Sequence, residues 1–371
     1  LQAMLAQVML LAPLSTASKP GPASLSLKSK CRTRLGAPVL EASGPRSRLL
    51  PGFLGLGALG ARRRDSAKMG LSASFFRSDA AEIREYFEGK VVWVTGASGG
   101  FGEALAVALS SGARLRGLVL SARRQVELER VKARCLELCP GLEISVLPLD
   151  LSKLTELPAA AQAAAGFYGR VDVLVNNGGV GFRGLGCETS IEIDQQVMNV
   201  DYFSGVVLVK ALLPDWLVRR SGHVVQISSV QGFFGLPGRT AYSAAKHAAV
   251  GFYDSLRAEV ADSGISVTTV CPGYIATDHS RNAAKGEGVK YPEGHTSKGV
   301  APEVLAPKAL AAAARRQPEL VAAPPDARLA ILLRTLCPTL LFFIMRRRAR
   351  KEQKERTLLL QQSAGEAKKG S

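Results

Sequence analysis

A tyrosine and a lysine four residues apart, with a serine thirteen residues before the tyrosine, are the residues of this sequence best suited to catalysis. Tyr242 and Lys246 fall on one face of a predicted helix. A free tyrosine has a pKa of roughly 10, but a nearby ammonium favours tyrosinate and lowers that pKa. Ser229 follows a predicted strand, and its hydroxyl could hold a substrate oxygen while Tyr242 donates a proton. The trio predicts acid–base chemistry at a carbonyl or alcohol.

A glycine-rich turn between the first predicted strand and the first predicted helix suits a nucleotide pyrophosphate. Gly96, Gly100 and Gly102 give the spacing Gly-x-x-x-Gly-x-Gly. Glycine permits a tight turn and a close backbone approach, and the helix N-terminus offers free N–H groups to the anion. Such a turn can be only a turn, but the flanking strand and helix supply the context of a dinucleotide site. The expected cofactor contacts here are Thr95, Gly96, Ser98, Gly100, Phe101 and Gly102.

The residues that follow the next strands indicate which nucleotide binds. Arg123 and Arg124 end the second strand, where an enzyme that uses NAD usually carries an acidic residue for the ribose 2′-hydroxyl. Arginine pairs instead with a 2′-phosphate, so NADP(H) is preferred over NAD(H), with Arg123 the better candidate. Both arginines could also be solvated residues at a helix start. Asp150 could accept a bond from the adenine amino group, and Asn177 is expected beside the adenine ribose.

Strands and helices alternate from Lys90 onward. The predicted strands span residues 91–95, 117–121, 143–149, 171–175, 223–228 and 265–271. The predicted helices span residues 101–112, 125–139, 155–168, 191–220, with a break near Gly205, and 240–262. This order predicts an α/β fold, a single Rossmann-type doubly wound parallel sheet flanked by helices. Ligands of such sheets bind beyond the carboxyl ends of the strands, where every motif above falls.

The net charge of +17 is concentrated in basic tails at both ends of the chain. Residues 1–68 hold 11 Lys/Arg against 2 acidic residues, and residues 346–371 hold 9 against 3. Basic tails bind anionic surfaces, membranes included. No basic stripe is interleaved with aromatic residues, so we expect no nucleic-acid partner.

The cysteines predict neither a metal site nor a disulfide framework. They show no CxxC pair and no histidine partners at zinc spacing, which favours a reducing compartment. The six are Cys31, Cys135, Cys139, Cys187, Cys271 and Cys337.

The chain divides by composition into five parts. Residues 1–68 are a disordered basic leader, a transit peptide or an artefact of gene prediction. The remaining parts are a lead-in at 69–87, the Rossmann domain at 88–327, an apolar segment at 328–345 and a basic disordered tail at 346–371. The apolar segment contains Arg334 and Pro338 and would span a bilayer poorly. It could lie on an anionic membrane surface, cover the substrate site as a helix, or form a subunit contact.

A polar segment at about 278–300 is expected to form the substrate loop. His279, Lys285, Lys290 and His295 lie in or beside it. A phosphate-bearing lipid ketone would suit this basic lid, although a solvated charged loop would have the same composition.

These motifs resemble the short-chain dehydrogenase/reductase family over residues 88–280. The resemblance rests on the glycine turn, an Asn-Asn-Gly-Gly element that begins at Asn176, the Ser229, Tyr242 and Lys246 trio, and Pro272-Gly273 followed by Thr277. It implies that the trio is catalytic and that Thr277 contacts the nicotinamide carboxamide. It also implies a membrane-bound enzyme of the endoplasmic reticulum or peroxisome that forms homodimers or homotetramers. The implied cofactor contacts beyond the turn are Arg123, Asp150, Asn177, Tyr242, Lys246, Pro272 and Thr277.

Asp201 stands where this family usually carries a fourth catalytic residue, an asparagine. An ionised aspartate accepts hydrogen bonds but cannot donate them, and its charge tends to keep Lys246 protonated. Asn199, two residues away, points elsewhere on a helix and cannot substitute. We therefore expect reduced turnover.

The sequence favours an NADP(H)-dependent enzyme that interconverts a ketone and a secondary alcohol on a small, lipid-like substrate. Steroid or retinoid carbonyls are the alternative substrates. A weakly active or inactive binding protein on the same scaffold is the alternative from another class; Asp201 favours it, and the intact trio opposes it.

Overall fold

The computed structural model describes residues 79–277, 284–285 and 299–369. The predicted leader at 1–68 and most of the substrate loop at 278–300 lie outside these residues.

Seven parallel strands form one sheet in the order β3-β2-β1-β4-β6-β7-β9. They are β1 Val91–Thr95, β2 Gly117–Ala122, β3 Ile144–Pro148, β4 Val173–Asn176, β6 Gly222–Ile227, β7 Ile265–Pro272 and β9 Glu319–Ala322. Two further short strands, β5 Phe182–Arg183 and β8 Ala284–Lys285, pair with each other. Most sheet strands are continuous apolar runs because helices cover both faces.

Within the described residues, ten α-helices pack on the two faces of the sheet or follow it. They are α1 Asp79–Phe87, α2 Gly100–Gly112, α3 Gln125–Leu138, α4 Leu157–Tyr168, α5 Ile191–Met198, α6 Ser204–Arg219, α7 Thr240–Glu259, α8 Pro302–Ala314, α9 Pro325–Leu336 and α10 Pro338–Lys369. One core contains Leu105 and Leu310, and the core on the opposite face contains Trp216 and Tyr253. The predicted doubly wound sheet is confirmed. Strand order reverses between β1 and β4, where such folds bind ligands.

The predicted long helix at 191–220 is interrupted earlier than expected. A wide turn at Asn199–Phe203 separates α5 from α6, whereas the break was placed near Gly205. Gly205 lies inside α6, and a Cβ there would meet Asn176 Nδ2 at 2.8 Å. This glycine therefore permits close packing rather than a break.

One helical stretch in the described part of the chain is long and apolar enough to cross a membrane, namely Ile191–Arg219. Leu208, Leu212 and Trp216 of this stretch are buried in the protein core. Core packing therefore accounts for its apolar composition.

The basic segment expected to be disordered is helical. α9 and α10 form a helical hairpin that turns at Cys337, and α10 continues through most of residues 346–371. Pro338 can begin a helix but would disrupt its interior, which explains the turn. Arg348 pairs with Glu352 one turn on, at 2.8 Å, and Leu341 is buried against the domain. These contacts favour the helix, and the basic composition of the segment does not reveal them.

Candidate active site

A cleft of about 1520 Å³ opens at the carboxyl ends of the strands. It runs from the glycine turn past Ser229 and Tyr242 to the helical hairpin. Every residue that the sequence assigned to catalysis or to the cofactor lines this cleft except Asp201. Residues spread over 180 positions of sequence are therefore brought together at one edge of the sheet.

Close backbone packing explains the glycine turn. Gly96 has φ +66°, and a Cβ there would lie 2.7 Å from Gly178 Cα. A Cβ on Gly102 would collide with the carbonyl oxygen of Gly96. The start of α2 therefore approaches β1 more closely than a larger residue allows. Thr277 packs on this turn, since a Cβ at Gly100 would lie 3.2 Å from Thr277 Cβ.

Asn177 joins the ends of β1 and β4. Its side-chain Nδ2 donates to the carbonyl of Thr95 at 3.0 Å, and its backbone N–H donates to Thr95 Oγ1 at 3.1 Å. The Gly178 N–H donates to the same hydroxyl at 3.0 Å. Asn177 therefore positions the turn, and because it also lines the cleft, its expected contact with the adenine ribose stays a prediction.

Two arginines and an aspartate lie at the end of the cleft nearest β2. Arg123 and Arg124 are both exposed, and Arg124 Nη2 lies 3.5 Å from Ser98 Oγ on the glycine turn. Burial would raise the pKa of Asp150, but hydrogen bonds from the Ser152 N–H and hydroxyl, with the charge of Arg123, lower it overall. Both arginines line the cleft, and Arg124 lies beside the glycine turn.

Ser229 and Tyr242 meet at the centre of the cleft. Ser229 follows β6, and its Oγ accepts a hydrogen bond from the Gln231 N–H at 3.2 Å. Tyr242 and Lys246 occupy the first two turns of α7, and Lys246 Nζ lies 5.3 Å from the centre of the phenol ring. The four-residue spacing thus brings Tyr242 and Lys246 close together, as predicted.

The pKa of Tyr242 differs in direction from the sequence-based expectation. Burial raises this pKa, and the charge of Asp201 adds to the rise. Lys246, a hydrogen bond with Ser229 and the charge of Arg239 act in the opposite direction without reversing it. The expected lowering by Lys246 is therefore present, but desolvation outweighs it.

Asp201 lies in the turn between α5 and α6, directly behind Lys246. Its Oδ1 accepts from the Val180 N–H at 2.6 Å, and its Oδ2 lies 3.5 Å from Lys246 Nζ. Gly179 makes room for this pair, because a Cβ there would lie 3.1 Å from Asp201 Oδ1. Burial tends to lower the pKa of Lys246, but the charges of Asp201 and Tyr242 raise it overall. This direction agrees with the expectation that Asp201 favours the protonated lysine, although burial also raises the pKa of Asp201 itself.

Several residues that line the cleft near Tyr242 carried no signal in the sequence. Gln231 accepts from Ser243 Oγ at 3.2 Å, and Arg239 donates to the Phe182 carbonyl at 2.6 Å. Arg348 reaches the cleft from the hairpin. Its position inside a basic run suggested a solvated tail, and only the docking of α10 reveals its place.

The helical hairpin forms the apolar wall of the cleft. Leu341 is buried in a cluster with Val230 and Phe234, and Leu333 and Met345 pack against this cluster. Residues 328–345 are therefore helical and line the cleft, as one of the three alternatives requires; that this part of the cleft is the substrate site stays a prediction. His279, Lys290 and His295 lie outside the described residues. Lys285 is described only as part of β8, where it pairs with Arg183.

Comparisons with known proteins give a consistent result. The short chain dehydrogenase family model matches residues 90–288. Dehydrogenase/reductase SDR family protein 7-like of Drosophila melanogaster is 46% identical over 268 residues, covering 71% of this chain and 81% of that protein. Dehydrogenase/reductase SDR family member 7B of Bos taurus is 41% identical over 277 residues, covering 73% and 84%.

Solved structures show the same fold with a nicotinamide cofactor. A short-chain dehydrogenase/reductase of Burkholderia phymatum in complex with NAD aligns with TM-score 0.61 and 26% identity, covering 69% of this chain and 96% of that one. A metagenomic short-chain oxidoreductase in complex with NADP aligns with TM-score 0.53 and 28% identity, covering 64% and 98%.

Proposed function

Because the chain belongs to the short-chain dehydrogenase/reductase family, we propose that it is an NADP(H)-dependent oxidoreductase that interconverts a ketone and a secondary alcohol on a lipid-like substrate. Tyr242 is the acid/base. One observation carries the proposal: Ser229, Tyr242 and Lys246 line the same cleft as the glycine turn. Family membership supports a nicotinamide cofactor, and the preference for NADP(H) rests on the arginines.

The residues at the glycine turn fit a dinucleotide. Gly99 lines the cleft and has open space where a Cβ would stand, and α2 begins at the next residue. The free N–H groups of this helix start would hold a pyrophosphate. Arg123 or Arg124 would hold the 2′-phosphate, and Thr277 would hold the carboxamide. When bound, the nicotinamide donates or accepts the hydride.

The catalytic trio would handle the proton. In reduction, Ser229 holds the substrate oxygen by a hydrogen bond, and Tyr242 donates its proton to that oxygen as the carbonyl carbon gains a hydride. The resulting tyrosinate is stabilised by the ammonium of Lys246, which is held in place by Asp201. In oxidation Tyr242, as tyrosinate, takes the proton back from the alcohol.

The apolar wall supports a lipid-like substrate. Phe234, Leu333 and Leu341 would bury a hydrocarbon portion, while the polar centre of the cleft receives the carbonyl. The test is NADPH oxidation with acyl-dihydroxyacetone phosphate, steroid and retinoid carbonyls in parallel, with Tyr242→Phe as control. Turnover by wild type alone is expected. Equal activity of both proteins, or none with any substrate, would defeat the proposal.

The buried ion pair of Asp201 favours a second candidate, a weakly active or inactive nucleotide-binding protein. That protein would bind NADPH in a fluorescence titration and show little or no turnover, even as Asp201→Asn.

The proposal includes association with a membrane of the endoplasmic reticulum or peroxisome, as the family resemblance implied, and assembly as a homodimer or homotetramer. The five free cysteines of the described residues suit a reducing compartment. Cell fractionation and light scattering test these two points.

A further inference from the structure

The helical hairpin of α9 and α10 has two apolar faces. The inner face packs on the domain and lines the cleft through Leu333, Leu341 and Met345. The outer face is defined here by exposure: its large apolar side chains are 41–69% exposed, and because three of them are consecutive they extend around the helix rather than along one stripe. They are Leu329, Leu332, Leu336, Leu340, Phe342, Phe343 and Ile344. Isolated exposed apolar residues are ordinary, but seven in sixteen positions of one hairpin mark an interaction site.

Basic side chains border the outer face. Asp326 is the one acidic residue of positions 325–351, against seven arginines and lysines. The guanidinium of Arg334 lies 5.4 Å from the ring centre of Phe342, and that of Arg347 lies 4.5 Å from the ring centre of Phe343. Each guanidinium therefore lies beside an exposed aromatic ring. This arrangement suits the surface of a phospholipid bilayer, where rings enter the acyl region and cations contact the headgroups.

We propose that the outer face of the hairpin lies on an anionic phospholipid bilayer. The interruption at Cys337 and the arginines on both helices favour a position along the surface over a span. Leu329 and Ile344 belong to the outer face and also line the cleft. The cleft that holds Tyr242 therefore opens toward the proposed bilayer contact, which would give a substrate a route from the bilayer. This route rests on the proposed lipid-like substrate, whereas the docking itself does not.

A tryptophan reporter tests the docking in the full chain. The two natural tryptophans, Trp93 and Trp216, are fully buried. The variant Phe343→Trp is mixed with vesicles of phosphatidylserine and acyl-brominated phosphatidylcholine, and we expect its new emission to shift to the blue and to be quenched. Val218→Trp is the matched control, because Val218 is 86% exposed on α6, and its emission should not change. Site-specific quenching separates this contact from attraction of the basic leader for the vesicles.

A charge variant tests the second half of the argument. In the reporter background, Arg346→Gln, Arg347→Gln and Arg350→Gln together should raise the lipid concentration at half-maximal quenching by about tenfold or more. Arg114→Gln with Arg116→Gln, exposed elsewhere, should leave it unchanged.

Three outcomes would overturn the docking: no quenching at position 343, equal quenching at position 218, or loss of self-association rather than of vesicle binding in Phe342→Ser/Phe343→Ser. The last would identify a subunit contact.

Turnover of a water-soluble carbonyl is measured on the same variants. Turnover without quenching of the position-343 emission would contradict only the proposed bilayer docking. Quenching without turnover would contradict only the proposed reductase activity.

Discussion

Asp201 and Lys246 form a buried ion pair, with Oδ2 of the carboxylate 3.5 Å from the ammonium and the two side chains 0% and 6% exposed. The same ammonium lies close to Tyr242. Lys246 is therefore shared between a buried carboxyl group, whose pKa burial raises against the opposing charge of Lys246, and a phenol that is charged only during the proposed reaction. Its stabilisation of tyrosinate is weakened, because Asp201 repels the second negative charge.

The first prediction is that Asp201→Asn increases kcat. An asparagine keeps an acceptor for the Val180 N–H, removes the negative charge and adds an N–H donor. We expect a rise in kcat of severalfold, up to about tenfold, within the range that acid–base groups contribute. Steady-state NADPH oxidation measures it.

This substitution should also lower stability, since it leaves a buried ammonium without its counter-charge. We expect a loss of roughly 3 kcal/mol in the free energy of unfolding. Asp215→Asn, which breaks the exposed pair with Arg219, is the control and should change neither quantity. An unchanged kcat in fully folded Asp201→Asn would count against a rate-limiting effect of the carboxylate.

A second prediction concerns the pH dependence of alcohol oxidation. Oxidation needs tyrosinate, and burial raises the pKa of Tyr242, with Asp201 adding to the rise. The oxidation rate should therefore increase with pH up to at least about 10, the ordinary tyrosine value. In Asp201→Asn the rise should move to lower pH, because one of the causes of the raised pKa is gone. Profiles of kcat/KM that coincide for the two proteins would contradict this assignment.

The sequence was sufficient to predict that Tyr242 and Lys246 are neighbours and that the glycine turn is closely packed, because each depends on spacing within one helix or one turn. Tyr242 and Lys246 are neighbours on any helix, and Gly102 must be small wherever a helix follows a strand so closely. The direction of the Tyr242 pKa could not be predicted in this way. It depends on how deeply the phenol is buried, which only tertiary packing sets.

The main structural error of the prediction was the disorder expected at residues 346–371, most of which are helical. The basic composition of this segment resembles a solvated tail, and the helix is favoured by contacts with residues far away in sequence, such as the 2.8 Å ion pair between Arg356 and Glu188. β9 was missed because it has four residues and only partly buried side chains. Short periodic signals do not distinguish such a strand from a loop.

A third prediction separates the two arginines at the cofactor end. Loss of a charge-assisted hydrogen bond of about 1.5–3 kcal/mol should raise KM for NADPH roughly 10- to 100-fold and leave KM for NADH unchanged. We expect this for Arg123→Ala, and a smaller rise for Arg124→Ala. Arg116→Ala, outside the cleft, is the control. An unchanged ratio of NADPH to NADH use in Arg123→Ala would remove this residue from the cofactor site.

The last prediction concerns His223, which is buried on β6 with Nδ1 2.7 Å from Tyr86 Oη and Nε2 3.0 Å from Thr268 Oγ1. Burial and the charges of Arg316 and Lys90 lower its pKa from 6.5 to about 3. Between these values the unfolded chain binds a proton that the folded protein does not, so stability should fall by about 1.4 kcal/mol per unit as pH drops below 6.5. Urea unfolding of His223→Gln at pH 7, 6 and 5 should show a shallower loss. Exposed His247→Gln is the control. If the free energy of unfolding of His223→Gln falls with pH as steeply as that of wild type, another group governs the acid sensitivity.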